Sequence, residues 1–304
     1  MPVHGVGLQL NPTILAMLDE VDPLLYGFSE LLCDQFAAPL DCGYVIDPAT
    51  RPLIERLRAS HPLVAHGNYG NEFGYDPLDQ TPGVLRHIAI THDLKSPWYA
   101  DHMFFGFQSS SYMWSSPLQF SRAEVERVAG RAAALQDRLK LPLLHENAFY
   151  YAPFPGSEIE EAEFIAGLVD RAQTYLLLDL HNVYSNSVNF ADYDIWKYLR
   201  TIPLDRVIEI HLAGGEQIGD WYHDFHNHYV PEPVWEMLAY VLRHAPRLEA
   251  VTLEVQGPAH SAQSQPVGAH WGRMINNDLR RARELWDTVR GTPDGDGDAK
   301  LRAG

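Results

Sequence analysis

Eight short runs of apolar residues punctuate the chain, at 6–10, 26–32, 63–66, 98–102, 141–146, 175–179, 206–212 and 250–255. Each is short enough for a strand, and segments with helical character lie between them at 11–20, 48–60, 121–140, 158–172 and 231–245, with a last one at 271–289. Ser121 and Glu124 form a capping box that opens the third of these. The run at 206–212 shows the period of two most plainly: Val207, Glu209 and His211 share one face, Ile208 and Ile210 the other. Repeated β/α alternation predicts an α/β fold, a (β/α)8 TIM barrel. A doubly wound sheet would show a glycine-rich phosphate turn after its first strand, and none is present.

If inward-facing residues alternate along these strands, His66, His102, Glu146, Asp179, His211 and Glu254 each fall at or near the C-terminal end of strands three to eight. A barrel normally fills such layers with Val, Ile and Leu, and facing carboxylates are costly without cations. After the seventh strand, Asp224, His226 and His228 sit two apart, so an extended loop projects all three to one side and His223 to the other. Asn182 and His181 follow Asp179; Asn182 reaches the site or satisfies loop backbone, and His181 shares the parity of Asp179. Asn147 points away from Glu146 and reads as an outer or substrate contact, and His145 faces the helices. Glu30 ends the second strand, placed to hold a ligand imidazole or a substrate amine, or to form a plain salt bridge. So many imidazole and carboxylate donors suit two or three octahedral ions with open positions, and without a cysteine ligand they admit iron, manganese or zinc.

Composition narrows this further. At 304 residues and 46% hydrophobic, the chain has enough core for one large barrel, read as a single domain over 1–290. Positions 291–304 are polar and aperiodic and read as a disordered tail. The net charge of −17 disfavours nucleic acid, whose binding depends on basic residues displacing counterions. Two cysteines, Cys33 and Cys42, make no disulfide framework and fit a reducing cytoplasm. No stretch has the length to cross a bilayer, so neither export nor a membrane is expected.

The motifs carrying these residues are G-V-G-L near the N-terminus, H-G at His66, D-H-M at His102, L-H-E-N at Glu146, L-L-L-D-L-H-N-V-Y at Asp179, E-I-H-L-A-G at His211 and H-D-F-H-N-H-Y-V-P-E-P-V-W at Asp224. In this order they resemble the multinuclear non-heme iron-dependent oxidative enzymes, relatives of the methanobactin-biosynthesis oxidase. The resemblance implies a xylose-isomerase-like barrel with two or three irons in a mixed Fe(II)/Fe(III) state that activates dioxygen. It implies a substrate that is a cysteine-containing segment of a ribosomally made precursor peptide, presented by a separate partner protein. The implied ligands are His66, His102, Glu146, Asp179, Asn182, His211, Asp224, His226 and Glu254, with catalysis resting on Glu146, His102 and Asp224. Glu30, Asn147, His181 and His228 would support ligands or touch substrate, and Tyr69, Phe73, Phe104, Phe105, Tyr112 and Trp114 would form an aromatic mouth. Two stretches depart from the pattern: N-Y-G-N-E-F-G after Gly67, and Val-Gln-Gly after Glu254.

Three rivals fit parts of this. A divalent-metal sugar isomerase or epimerase would use a lysine or paired carboxylates, yet Lys95, Lys140, Lys197 and Lys300 end no strand. A three-zinc phosphodiesterase matches the ligand count but conflicts with the charge. A non-catalytic metal- or peptide-binding protein is the rival of another class.

Overall fold

The computed structural model describes residues 3–41, 43–68, 70–104, 117–256 and 269–291. Its centre is a closed barrel of eight parallel strands. They are β1 (Gly5–Leu10), β2 (Phe28–Leu32), β3 (Leu63–His66), β4 (Tyr99–His102), β5 (Leu143–Glu146), β6 (Tyr175–Asp179), β7 (Val207–Leu212) and β8 (Ala250–Leu253). All eight expected strands are present, and β1 closes the barrel by pairing with both β8 and β2. Two antiparallel hairpins lie outside it, Ala37–Leu40 with Gly43–Ile46 and Glu216–Ile218 with Trp221–His223.

Apolar side chains fill the lower barrel. Phe28, Val64, Trp98, Ala100, Leu144, Leu177 and Ala250 form one buried cluster, separate from the larger core between barrel and helices. Above this plug the inward positions turn polar: Glu30, His66, Glu146, Asp179, Glu209, His211 and Thr252 are all fully buried. The strand registers set the levels, pairing His102 with Glu146 and Asp179 with His211. Period-two alternation thus delivers an apolar floor and an ionisable upper layer from the same strands.

The expected helices occur, four with trimmed ends, Arg51–Ser60, Arg122–Leu139, Glu161–Ala172 and Glu232–His244, and the last slightly longer than expected, Ala269–Arg290. Ser121 caps the second of these, accepting from the Glu124 amide at 3.2 Å. The helix expected over 11–20 is broken, with Pro12–Ala16 α-helical and Leu18–Glu20 a 3-10 turn. Three helices escaped the periodicity: Pro82–Leu94, Leu180–Asn189 and Ile195–Thr201. Leu180–Asn189 starts directly from the end of β6, with Asp179 as its N-cap accepting from the Asn182 amide at 2.6 Å. That leaves no loop for a sequence pattern to mark. No helix among the described residues is long and apolar enough to cross a membrane. The tail expected over 291–304, apart from Gly291, and Cys42 lie outside the described residues.

Candidate metal centre

Glu146, at the end of β5, is the hub of the upper barrel. Its Oε2 is 2.7 Å from His66 Nε2 and 3.1 Å from His102 Nε2, and its Oε1 is 3.2 Å from His211 Nδ1. His211 Nδ1 also stands 3.1 Å from Glu254 Oε2, and that oxygen is 3.8 Å from His226 Nδ1. Potential donor atoms gather in overlapping groups: His66, His102 and Glu146; Glu146, Asp179, His211 and Glu254; and Glu30, His66 and His211. Glu146 belongs to two of them. A fourth neighbourhood brings Asp224 Oδ1 to 2.7 Å from His181 Nδ1 and 2.8 Å from His226 Nε2.

Electrostatics follow from burial and crowding. Burial pushes the Asp179 carboxyl up, and Glu146, Asp224 and Glu254 push it further, well above its ordinary value. Burial acts the same way on Glu146, but His102, His211 and His66 overcome it and hold that carboxyl well below the usual range. For His66 burial pulls down while Glu30 and Glu146 push up, leaving it at about 10; His226 reaches about 10 against burial through Asp224 and Glu254. So dense a set of carboxylates needs positive charge, from imidazolium or from bound cations.

The donor set fits metal. Glu146 Oε1, Asp179 Oδ2, Asn182 Oδ1, His211 Nδ1 and both nitrogens of His226 are buried without an aligned hydrogen bond, although carboxylate oxygens lie close to the His211 and His226 nitrogens. Groups that converge without pairing are placed as ligands around a common centre are, and buried polar atoms otherwise find partners. Imidazole nitrogens and carboxylate oxygens without thiolate suit iron, manganese or zinc. Cys33 does not enter this chemistry, being buried behind the barrel with its thiol pushed up to about 12 by burial.

Supporting contacts depart in part from expectation. Glu30 holds an imidazole, its Oε2 3.1 Å from His211 Nε2, while its Oε1 accepts from Gln9 at 2.9 Å. Gln9 also donates to Glu254 Oε1, so one amide on β1 steadies two carboxylates; the sequence reading missed it, although it shares the inward parity of Gly7. Asn147 is an outer contact and does not line the mouth: its amide exchanges hydrogen bonds with the backbone of Asp179 at 2.9 and 2.8 Å, stapling β5 to β6. Asn182 and Asn186, one turn apart, donate to the carbonyls of Asn147 and Ala148 at 3.0 Å each. His145 faces outward as expected, bonded to Thr174 Oγ1 at 2.9 Å and packed on Phe73.

The loop after β7 is not extended. His226 has φ 52°, in the left-handed region, which reverses the chain and folds His226 inward while His228 is exposed and 2.8 Å from Asn227 Oδ1. His228 therefore does not join Asp224 and His226 on one side. His181 does: shared parity with Asp179 counts for nothing once helix Leu180–Asn189 begins, and the helix carries His181 over to Asp224.

The mouth is lined by Gln9, Leu32, Asn68, His102, Phe104, Phe149, Tyr151, Asn182, Asp224, Phe225, His226, Glu254 and Gln256. Phe104 stacks on His102, ring centres 4.8 Å apart. Phe73, expected here, is instead buried in the core against His145, and Tyr69, Phe105, Tyr112 and Trp114 lie outside the described residues. Phe149, Tyr151 and Phe225 were missed because they sit in loops without periodicity. Behind β3 and β4, His87, Glu72, Asp34, Tyr99 and Asp101 form a buried network of 2.6–2.9 Å hydrogen bonds. A Cβ on Gly67 would meet Tyr99 Oη at 2.1 Å and Asp101 Oδ2 at 2.4 Å, so glycine must follow His66.

A parallel barrel with a buried histidine–carboxylate centre at the C-terminal mouth of its strands has the architecture of a TIM-barrel metalloenzyme. The chain belongs to the family described as RiPP precursor modification enzyme MbnB/TglH/ChrH, which it matches over residues 5–263. The resemblance read from the strand-end motifs holds. A UPF0276 protein of Pseudomonas aeruginosa is 35% identical over 242 residues, 78% of this chain and 81% of that one. A UPF0276 protein of Anaeromyxobacter is 32% identical over 259 residues, 82% and 84% of the two chains. Among solved structures, L-ribulose 3-epimerase superposes with a TM-score of 0.61 at 13% identity, covering 95% of this chain and 96% of its own. A xylose isomerase domain protein of Alicyclobacillus acidocaldarius gives 0.58 at 13% identity, covering 93% and 99%. These two share the fold.

Proposed function

We propose that this chain is a multinuclear non-heme iron, dioxygen-dependent oxidase that modifies a cysteine in a ribosomally synthesised precursor peptide. The observation that carries the reading is the convergence on Glu146 of buried imidazoles and carboxylates with unpaired donor atoms, in a chain of this family. His66, His102, Glu146, Asp179, Asn182, His211, Asp224, His226 and Glu254 would hold two or three irons, with His181 beside Asp224 and His226. Bound iron supplies one-electron chemistry with dioxygen and an anchor for a substrate thiolate.

The chain's own side chains prepare that site. Glu30 and Gln9 fix the His211 ring and the Glu254 carboxylate, so donor geometry exists before substrate arrives. His102 is the most accessible of the strand-end histidines, its side chain 18% exposed, and with Phe104 it faces the opening where a cysteine enters. Phe149, Tyr151 and Phe225 give the peptide apolar walls, while Asn68 and Gln256 offer amides to its backbone. In this reading a separate partner protein presents the precursor, and Tyr151, Phe154 and Trp221, exposed aromatics on the loops after β5 and β7, offer apolar contact area.

The test is anaerobic purification, metal analysis, and reaction with a cysteine-containing precursor peptide encoded beside the gene. Iron in the protein, oxygen uptake that depends on the peptide, and a mass change at cysteine are expected. Zinc alone, with no oxygen uptake, would overturn the proposal.

A further inference from the structure

Outside the barrel, between helices Glu161–Ala172 and Ile195–Thr201, lies a second cavity of about 310 Å³. Two aromatic pairs wall it: Tyr150 with Phe190, ring centres 5.3 Å apart, and Tyr193 with Tyr198, 5.6 Å apart. At its base Glu161 is buried, and two phenols donate to its Oε2, Tyr150 at 3.3 Å and Tyr193 at 3.1 Å. No Lys, Arg or His among the described residues pairs with this carboxylate, and burial pushes it up to about 8. The Tyr198 hydroxyl, also buried and lining the cavity, stands near that of Tyr193 without an aligned hydrogen bond. At the rim are Glu160, Asp192 and Asp194, and the one lysine there, Lys197, is already paired with Glu160 at 2.5 Å.

Phenol and phenyl faces around an acid are what a cation needs. Ring faces attract a desolvated guanidinium or ammonium, Glu161 releases its proton to solvent as the cation enters and then balances its charge, and an acidic rim draws it in. An anion would meet four acids, and a neutral apolar group would leave the buried Tyr198 hydroxyl unsatisfied. The place is also suited to a peptide. Tyr150 enters this cavity, whereas its neighbours Phe149 and Tyr151 line the metal mouth, so one short segment separates the two openings.

We propose that this cavity binds a basic side chain, the guanidinium or ammonium of an arginine or lysine in the peptide, between the two aromatic pairs and against Glu161. The peptide part of this statement rests on the function proposed above. The site anchors the substrate at a point away from its reacting cysteine.

Ligand-observed magnetic resonance on the full-length protein tests it, with Nα-acetyl-arginine methylamide, Nα-acetyl-lysine methylamide and the neutral Nα-acetyl-glutamine methylamide as probes. The two cationic probes should bind and compete with each other, and the neutral one should not. Glu161→Gln should weaken cation binding roughly ten-fold, the scale of one desolvated charge contact, and Tyr198→Phe by less. Asp192→Lys, an exposed rim change that leaves the core intact, should weaken it even if Glu161→Gln fails to fold. Equal binding of the neutral probe, or cation binding unchanged in a folded Glu161→Gln and in Asp192→Lys, overturns the proposal. Because probe binding is read without turnover, the two readings fail separately. Probes that bind while no precursor is modified uphold the cavity and sink the oxidase; a modified precursor whose KM ignores Glu161→Gln, with no probe bound, does the reverse.

Discussion

Glu146 reaches imidazoles on β3, β4 and β7, whereas His226 belongs to the loop neighbourhood with Asp224 and His181. The two positions should therefore fail differently. Glu146→Gln keeps volume but removes the central negative charge, so metal analysis should show the loss of at least one ion, and activity should fall by more than the roughly 10–100-fold typical of an outer contact. His226→Ala should lose a peripheral ion and leave the rest partly occupied. Full metal and activity in Glu146→Gln, with everything lost in His226→Ala, would move the heart of the site to the loop. Glu161 offers a pH test that does not depend on metal. Its folded pKa, about 8, lies above the ordinary glutamate value, so its contribution to stability is complete below about pH 4.3 and is lost as pH rises through 8. Melting curves should show the wild type declining relative to Glu161→Gln between pH 5 and 8, and parallel curves would contradict the assignment.

At the scale of elements, the site depends on how strand ends are held. The amides of Asn147, Asn182 and Asn186 tie the segment after β5 to the helix after β6, and so fix Glu146 beside Asp179. Helix ends matter less to chemistry and more to stability. Helices Pro82–Leu94 and Arg122–Leu139 end on lysines in the left-handed conformation, Lys95 at φ 58° and Lys140 at φ 57°. Glycine removes the Cβ strain of that conformation, offset in part by the freer unfolded chain. Lys95→Gly and Lys140→Gly should each raise the unfolding free energy by about 0.5–1 kcal/mol in denaturant titrations, and alanine at the same positions should not. Lower stability in both glycine variants would contradict this. The eight strands were legible because each is a short apolar run set off by polar segments; helix Leu180–Asn189 was not, because it follows β6 without a turn and its polar face is turned toward the site.

For the whole molecule, the centre is part of the barrel's stability. Glu30, Glu146, Asp179 and Glu254 face one another in a space with little water, above an apolar floor, so cations that bind only the folded state should hold the barrel together. Chelation should lower the melting temperature by several degrees and re-addition of metal should restore it. An unchanged curve with less than one ion per chain would refute a multinuclear centre.

Alternation along single strands is a local property, so the sequence by itself determined the (β/α)8 barrel, the inward parity of His66, His102, Glu146, Asp179 and His211, and the family to which their motifs belong. Loops and helix starts take their geometry from what they pack against. Only the tertiary structure decided that His226 turns inward through a left-handed residue while His228 faces water, that His181 meets Asp224, and that Gln9 spans Glu30 and Glu254 from strands far apart in sequence. The cavity around Glu161 belongs with these. Its aromatic walls come from the loop after β5, the link between helices Leu180–Asn189 and Ile195–Thr201, and the second of those helices, whose contacts no periodicity records.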